Sequence, residues 1–163
     1  VKAAHDGQSI YLRVEWADSK KDLAPTDSDP FPDAAAVMFP GQEGLPSVFE
    51  NDPISMGADD IPVNAWLWRA DFGEKAKDIR ARGFGTSRRL AESAIAAKGE
   101  WKNGRWQVVF SRSFAPPDAE KEVAALPAEG TIPVAFAVWD GSNKERAGLK
   151  ATVPSWLLME VKA

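Results

Sequence analysis

The chain has no cysteine and a single histidine, His5. The missing thiol excludes disulfides, iron–sulfur ligation, zinc–thiolate sites and the CxxCH attachment of c-type haem. One imidazole cannot build a histidine pair, an HExxH site, a facial triad or a bis-histidine haem. A Ser-His-Asp arrangement would have to use His5, and no GxSxG stretch supports one. Long apolar runs are missing too, so no membrane span is expected. Positive charge is in deficit: 20 Lys and Arg stand against 24 Asp and Glu, a formal net charge of −4. Nucleic acid, which selects a basic surface, is not an expected partner.

What is present is an ordinary globular composition. The 163 residues are 44% apolar and 27% charged, enough for one domain over residues 1–163 with a true core. The opening VKAAHDGQSIYL reads as a turn into a strand, not as a signal peptide. A processed exported chain has that look, and so has a trimmed one. Seven tryptophans need a use. They suit core packing, a stacking platform for sugar rings, or the wall of a pocket for a flat cofactor.

The hydrophobic pattern is that of strands. Ser9 to Trp16 alternates, with Ile10, Leu12, Val14 and Trp16 on one face and Tyr11, Arg13 and Glu15 on the other. Asp33 to Phe39 and Pro62 to Asp71 read as two further strands. Lys102-Asn103-Gly104 lies between two strand-like runs, a strong hairpin signal. Thr131 to Gly141 is an unbroken apolar run, the mark of a strand covered on both faces. Ser155 to Lys162 is the last strand. Glu74 to Ala97 has no clean stripe and reads as irregular loop with one helical turn at most. A short helix is expected near Asp118 to Ala125. The fold class is therefore all-β: an antiparallel β-sandwich, immunoglobulin-like or carbohydrate-module-like, with long loops and at most short helices.

Five stretches, taken in order, carry a more specific likeness: AHDGQSIYLRVEWAD, DAAAVMFP, SMGADDIPVNAWLWRAD, KGEWKNGRWQVVFSR and IPVAFAVWDGSNKERAGLKATVPSW. Together they resemble the haem-binding γ subunits of the ethylbenzene dehydrogenase and dimethylsulfide dehydrogenase group, to which chlorate and selenate reductase subunits are similar. The resemblance implies a β-sandwich with one non-covalent haem b, its iron held by a Met and a Lys. The Met carries over onto Met56 and the Lys onto Lys150, with Lys144 as the alternative in the same loop. It further implies a periplasmic, non-catalytic subunit working with a molybdenum catalytic α subunit and an iron–sulfur β subunit. Such a subunit passes electrons to or from an external carrier such as a soluble c-type cytochrome.

The residues themselves offer few axial donors: His5, Met38, Met56, Met159, Tyr11 and the lysines. Met38 and Met159 sit inside strands and suit a core. Met56 sits in a loop beside Gly57, which allows close backbone approach, though a loop methionine also serves as a gap filler. A lysine ligand must be neutral, since the ammonium has no lone pair, and burial favours that form. Two protein ligands would leave no open iron position, which suits electron transfer rather than catalysis. Arg69, Arg146 and Lys144 are candidates to hold propionates. Trp66, Trp68 and Trp139 are candidates for the pocket wall. The acidic pairs Asp59-Asp60 and Asp27-Asp29 fit no EF-hand loop and read as solvated acids. The competing reading is a carbohydrate-binding β-sandwich module, since the first strand also resembles that of the family-nine modules.

Overall fold

The computed structural model describes residues 1–23, 31–41, 52–90, 93–114 and 123–162. Its strands are β1 (Lys2–His5), β2 (Ser9–Ala17), β3 (Ala34–Pro40), β4 (Val63–Arg69), β5 (Lys77–Ala81), β6 (Arg88–Arg89), β7 (Ala96–Lys102), β8 (Arg105–Ser113), β9 (Gly130–Trp139), β10 (Ala151–Thr152) and β11 (Leu157–Val161). The helical elements among the described residues are 3-10 turns. The strands form two antiparallel sheets. One runs β1-β2-β8-β7; the other runs β10-β9-β3-β4-β5-β6, with β11 also pairing along β9.

Alternation decides what lies between the sheets. Ile10, Leu12 and Val14 of β2 and Trp106, Val108 and Phe110 of β8 point inward from the first sheet. Ala35, Val37 and Phe39 of β3, Trp66 and Trp68 of β4, and Ile132 and Val134 of β9 meet them from the second. This is the expected β-sandwich core. Gly99 of β7 makes room for one of its largest members: a Cβ there would lie 2.2 Å from the Trp68 ring.

The second sheet is covered on its outer face as well. β3 is buried along its whole length, and β9 is buried at alternate and intervening positions alike, as its apolar run predicts. A second apolar cluster (Met38, Val63, Ala65, Ala81 and Ala135) lies there, with Met56, Ile79, Val153 and Trp156 packed against it.

Two sequence expectations change. Glu74 to Ala97 is not an irregular loop: it holds β5 and β6, and it ends in β7. β5 hid because its inward residues are Asp78 and Arg80, both buried, which reverses the usual pattern. Asp78 accepts a hydrogen bond from Asn64 Nδ2, and the cationic Arg112 and Arg80 face it. Desolvation still raises its pKa. Of the expected helix near Asp118 to Ala125, residues 118–122 lie outside the described residues, as do Asp27 and Asp29. Residues 123–125 are not helical.

Candidate functional site

The outer face of the second sheet is unusually low. Ala34 and Ala36 of β3 and Ala65 of β4 present methyl groups where neighbouring inward positions carry Val, Phe and Trp. The short side chains leave a cavity of about 590 Å³, with Leu67, Arg69, Ile79 and Trp139 completing its sheet-borne lining. A trench of this kind follows directly from placing the bulk of each strand on the opposite face.

Two loops from opposite ends of the sheet rise over this floor. β3 pairs with β4 so that Pro40 faces Val63 at one end, and Ala34 faces both Arg69 and Trp139 at the other. The Met56 loop enters β4 at the Val63 end. The Lys150 loop leaves β9 at the Trp139 end and returns as β10.

The loops share one local design. Asp52 and Asp140 cap 3-10 turns at Pro53–Ser55 and Gly141–Asn143, accepting the amides of Ser55 (2.8 Å) and Asn143 (3.3 Å). Each turn ends on a left-handed residue, Met56 (φ 59°) and Lys144 (φ 61°). Each then closes with an antiparallel bridge, Ala58 to Ile61 and Arg146 to Leu149. After Met56 the chain needs Gly57, whose φ is +87° and whose Cβ would lie 2.5 Å from the Ile61 carbonyl oxygen.

Met56 and Lys150 both line the cavity, and both also border a smaller adjoining void of about 40 Å³. The two side chains therefore converge on one space. Lys144 is exposed and is not among the lining residues. Lys150 is half-buried, with its ammonium 5.4 Å from the centre of the Trp139 ring. Burial pushes its pKa down, toward the neutral amine.

Arg69 and Arg146 stand at the same cavity. Arg69 forms a two-pronged pair with Asp71, at 2.9 and 2.6 Å. Arg146 stacks on Phe31, 4.5 Å from the ring centre. Trp139 donates its indole N–H to the Ala147 carbonyl at 3.1 Å, which fixes it against the Lys150 loop.

Trp66 and Trp68 do not join them. Even-numbered residues of β4 face the inter-sheet core, so both rings are buried there, away from the cavity. The expectation that they wall the pocket is corrected: alternation sends Ala65, Leu67 and Arg69 to that side.

Sequence reasoning also missed the floor and its anchor. The signal for the floor was present in the alanines of β3 and β4, but alanine has no chemistry to attract notice. The anchor is Asp33, fully buried just before β3. Its carboxylate accepts hydrogen bonds from the Asp22 amide (2.7 Å), Trp106 Nε1 (2.9 Å) and the Gly141 amide (2.9 Å). The last of these ties down the start of the Lys150 loop.

A profile of the ethylbenzene dehydrogenase family matches residues 1–91 and 87–151. A provisionally named respiratory nitrate reductase heme subunit of Haloferax mediterranei is 39% identical over 156 residues, covering 96% of this chain and 53% of that protein. The chlorate reductase subunit gamma of Ideonella dechloratans is 34% identical over 148 residues, covering 90% of this chain and 58% of its own length. The dimethylsulfide dehydrogenase subunit gamma of Rhodovulum sulfidophilum is 32% identical over 164 residues, again 96% and 58%. The chain thus spans little more than half the length of these relatives. With its sheet, loops and cavity in place, and with a profile matched over most of its residues, the chain belongs to the ethylbenzene dehydrogenase family.

Proposed function

We propose that the cavity holds one non-covalent haem b, with Met56 and Lys150 as the axial ligands of its iron. The observation that carries this reading is the convergence of these two donors, from opposite ends of the sheet, on one space. The surroundings fit the group. The cavity volume lies in the range of about 300–1,000 Å³ usual for cofactor and ligand sites, and its floor, built on Ala34, Ala36, Ala65 and Leu67, is apolar. The donor set fits as well: a soft thioether and an amine that burial inclines to neutrality. Arg69 and Arg146 supply two cations for propionates, and Trp139 a ring for the wall.

Bound, the haem supplies a one-electron ferric–ferrous couple. Met56 would favour the reduced state, as thioether ligation raises haem potentials. Lys150, a harder donor, would oppose it. With both donors engaged no position would remain for oxygen or substrate, which fits a non-catalytic electron-transfer role. The names of the relatives point the same way, as haem or gamma subunits of reductases and a dehydrogenase. We read the chain, as its resemblance implies, as the haem relay of a periplasmic molybdoenzyme. It exchanges electrons between that enzyme's iron–sulfur subunit and a carrier such as a soluble c-type cytochrome. Among the described residues no helix is long and apolar enough to cross a membrane.

The sugar-binding alternative needs an exposed aromatic platform. All seven tryptophans are buried or half-buried, so none of them offers that platform. The deciding experiment is a pyridine haemochrome assay with oxidised and reduced spectra of the purified protein. The expected result is one extractable haem b per chain. A chain that stays colourless after adding hemin would overturn the reading.

A further inference from the structure

We propose that Asp18, Asp33 and Asp140 form a binding site for a hard divalent cation of the size of calcium. The three residues come from the end of β2, the lead into β3 and the start of the Lys150 loop. One carboxylate oxygen from each lies within 4.8 Å of the others. Calcium–oxygen distances of about 2.3–2.6 Å allow a single ion to reach oxygens up to about 5 Å apart, whereas the shorter magnesium bonds of about 2.0–2.1 Å do not span as far.

The independent observation is Asp18 itself. The residue is 3% exposed, and its Oδ2 is buried without a hydrogen-bond partner. A buried unpaired carboxylate oxygen is costly and calls for a cation. Burial raises the Asp18 pKa, while the Lys20 amide, which donates to Oδ1 at 3.0 Å, and the neighbouring Trp16 indole favour its charged form. The charged groups facing Asp18 are Asp140 and Asp22, and the one facing Asp33 is Asp18. Every one of them is negative. Lys20, on the solvent side, pairs with Asp22 at 3.2 Å.

The other two carboxylates keep capacity for an ion. A carboxylate accepts at about four lone-pair positions. Asp33 uses two on Oδ2 and one on Oδ1. Asp140 uses one on each oxygen, both with Asn143. The positions are also fixed in advance. The Asp18 amide donates to the Gly104 carbonyl at 2.9 Å, and Trp101 Nε1 donates to the Asp18 carbonyl at 3.0 Å. An ion here would pin the start of the Lys150 loop to both sheets at once.

The test is calorimetric titration of the purified protein with calcium chloride, beside thermal melts in calcium and in chelator. Neither readout depends on haem. The expected result is uptake of one calcium per chain, with magnesium at least tenfold weaker and a melting temperature that rises with calcium. Asp18→Asn and Asp140→Asn should weaken calcium at least tenfold. In chelator, Asp18→Asn should melt no lower than wild type, because the repulsion it relieves is present there; Asp140→Asn also loses an acceptor for Asn143 and is judged by its calcium affinity alone. No heat and no melting shift up to millimolar calcium in the wild-type protein would overturn the proposal. So would a shift of wild-type size in both variants.

Discussion

The Asp33 carboxylate accepts the backbone amide of Gly141 at 2.9 Å, across 108 residues of sequence. The contact is tight on both sides, since a Cβ on Gly141 would fall 1.6 Å from the Phe31 carbonyl oxygen. One carboxylate therefore sets where the Lys150 loop begins. Replacing it with Ala strands three buried donors: the amides of Asp22 and Gly141 and the Trp106 indole. Each unpaired group costs about 1–3 kcal/mol. We expect Asp33→Ala to lose on the order of 3 kcal/mol, a fall of about 6–12 °C in melting temperature for a chain of this size. Asp33→Asn, which keeps a carbonyl oxygen, should lose less. Thermal melts with calcium chelated measure both, and equal stability of all three proteins would remove Asp33 as the anchor.

The cavity floor makes a second prediction. The Ala36 and Ala65 side chains point away from the inter-sheet core. Phe at either position should fill the trench and leave the sandwich intact. Circular dichroism should match wild type while haem uptake falls at least tenfold. Full haem occupancy in both variants would place the cofactor elsewhere.

How much of this was legible beforehand depended on which face a residue used. β2, β8 and β9 announced themselves because their inward residues are large and apolar. β5 did not, because Asp78 and Arg80 point inward, and Asp78 is held by Asn64 and by the facing Arg112 and Arg80, contacts that sequence order cannot display. Met56 was legible as a bulky apolar side chain in a loop. Trp66 and Trp68 misled for a related reason: an aromatic pair two apart must share a face, but nothing local says which. Which of Lys144 and Lys150 lines the cavity could be told only from the loop's shape. The left-handed turn at Lys144 leaves that side chain exposed, and the chain then brings Lys150 back beside Trp139.

The first turn of the chain supplies a pH dependence. Asp6 accepts the amides of Gln8 (2.9 Å) and Ser9 (2.8 Å) and the Tyr11 hydroxyl (2.8 Å). These bonds favour the carboxylate, chiefly those from Ser9 and Gln8, and hold its pKa down at about 2 against an ordinary 3.8. A depressed acid stabilises the fold above its unfolded pKa, and the contribution disappears as pH falls through the folded value. Wild type should therefore out-melt Asp6→Asn at pH 6, with the gap closing between about pH 4 and pH 2. A gap that is flat over that interval would show that the charge at Asp6 does not support the turn.

The axial pair is separable by spectroscopy, and the two loops predict unequal results for the two lysines. Met56 and Lys150 border the same space, so removing either donor should convert a six-coordinate low-spin haem to a five-coordinate or re-ligated one. Met56→Ala and Lys150→Ala should each shift the Soret band. Lys144 occupies the same turn position as Met56 in the companion loop, but its exposed side chain does not line the cavity. Lys144→Ala should keep the wild-type spectrum. The potentials should also move in opposite directions: loss of the thioether lowers the potential, and loss of the harder amine raises it. An unchanged low-spin spectrum in Met56→Ala would remove the thioether from the iron. A shifted spectrum in Lys144→Ala beside an unchanged one in Lys150→Ala would transfer the amine to the other lysine, and with it the reading of which loop residue the sheet presents to the cofactor.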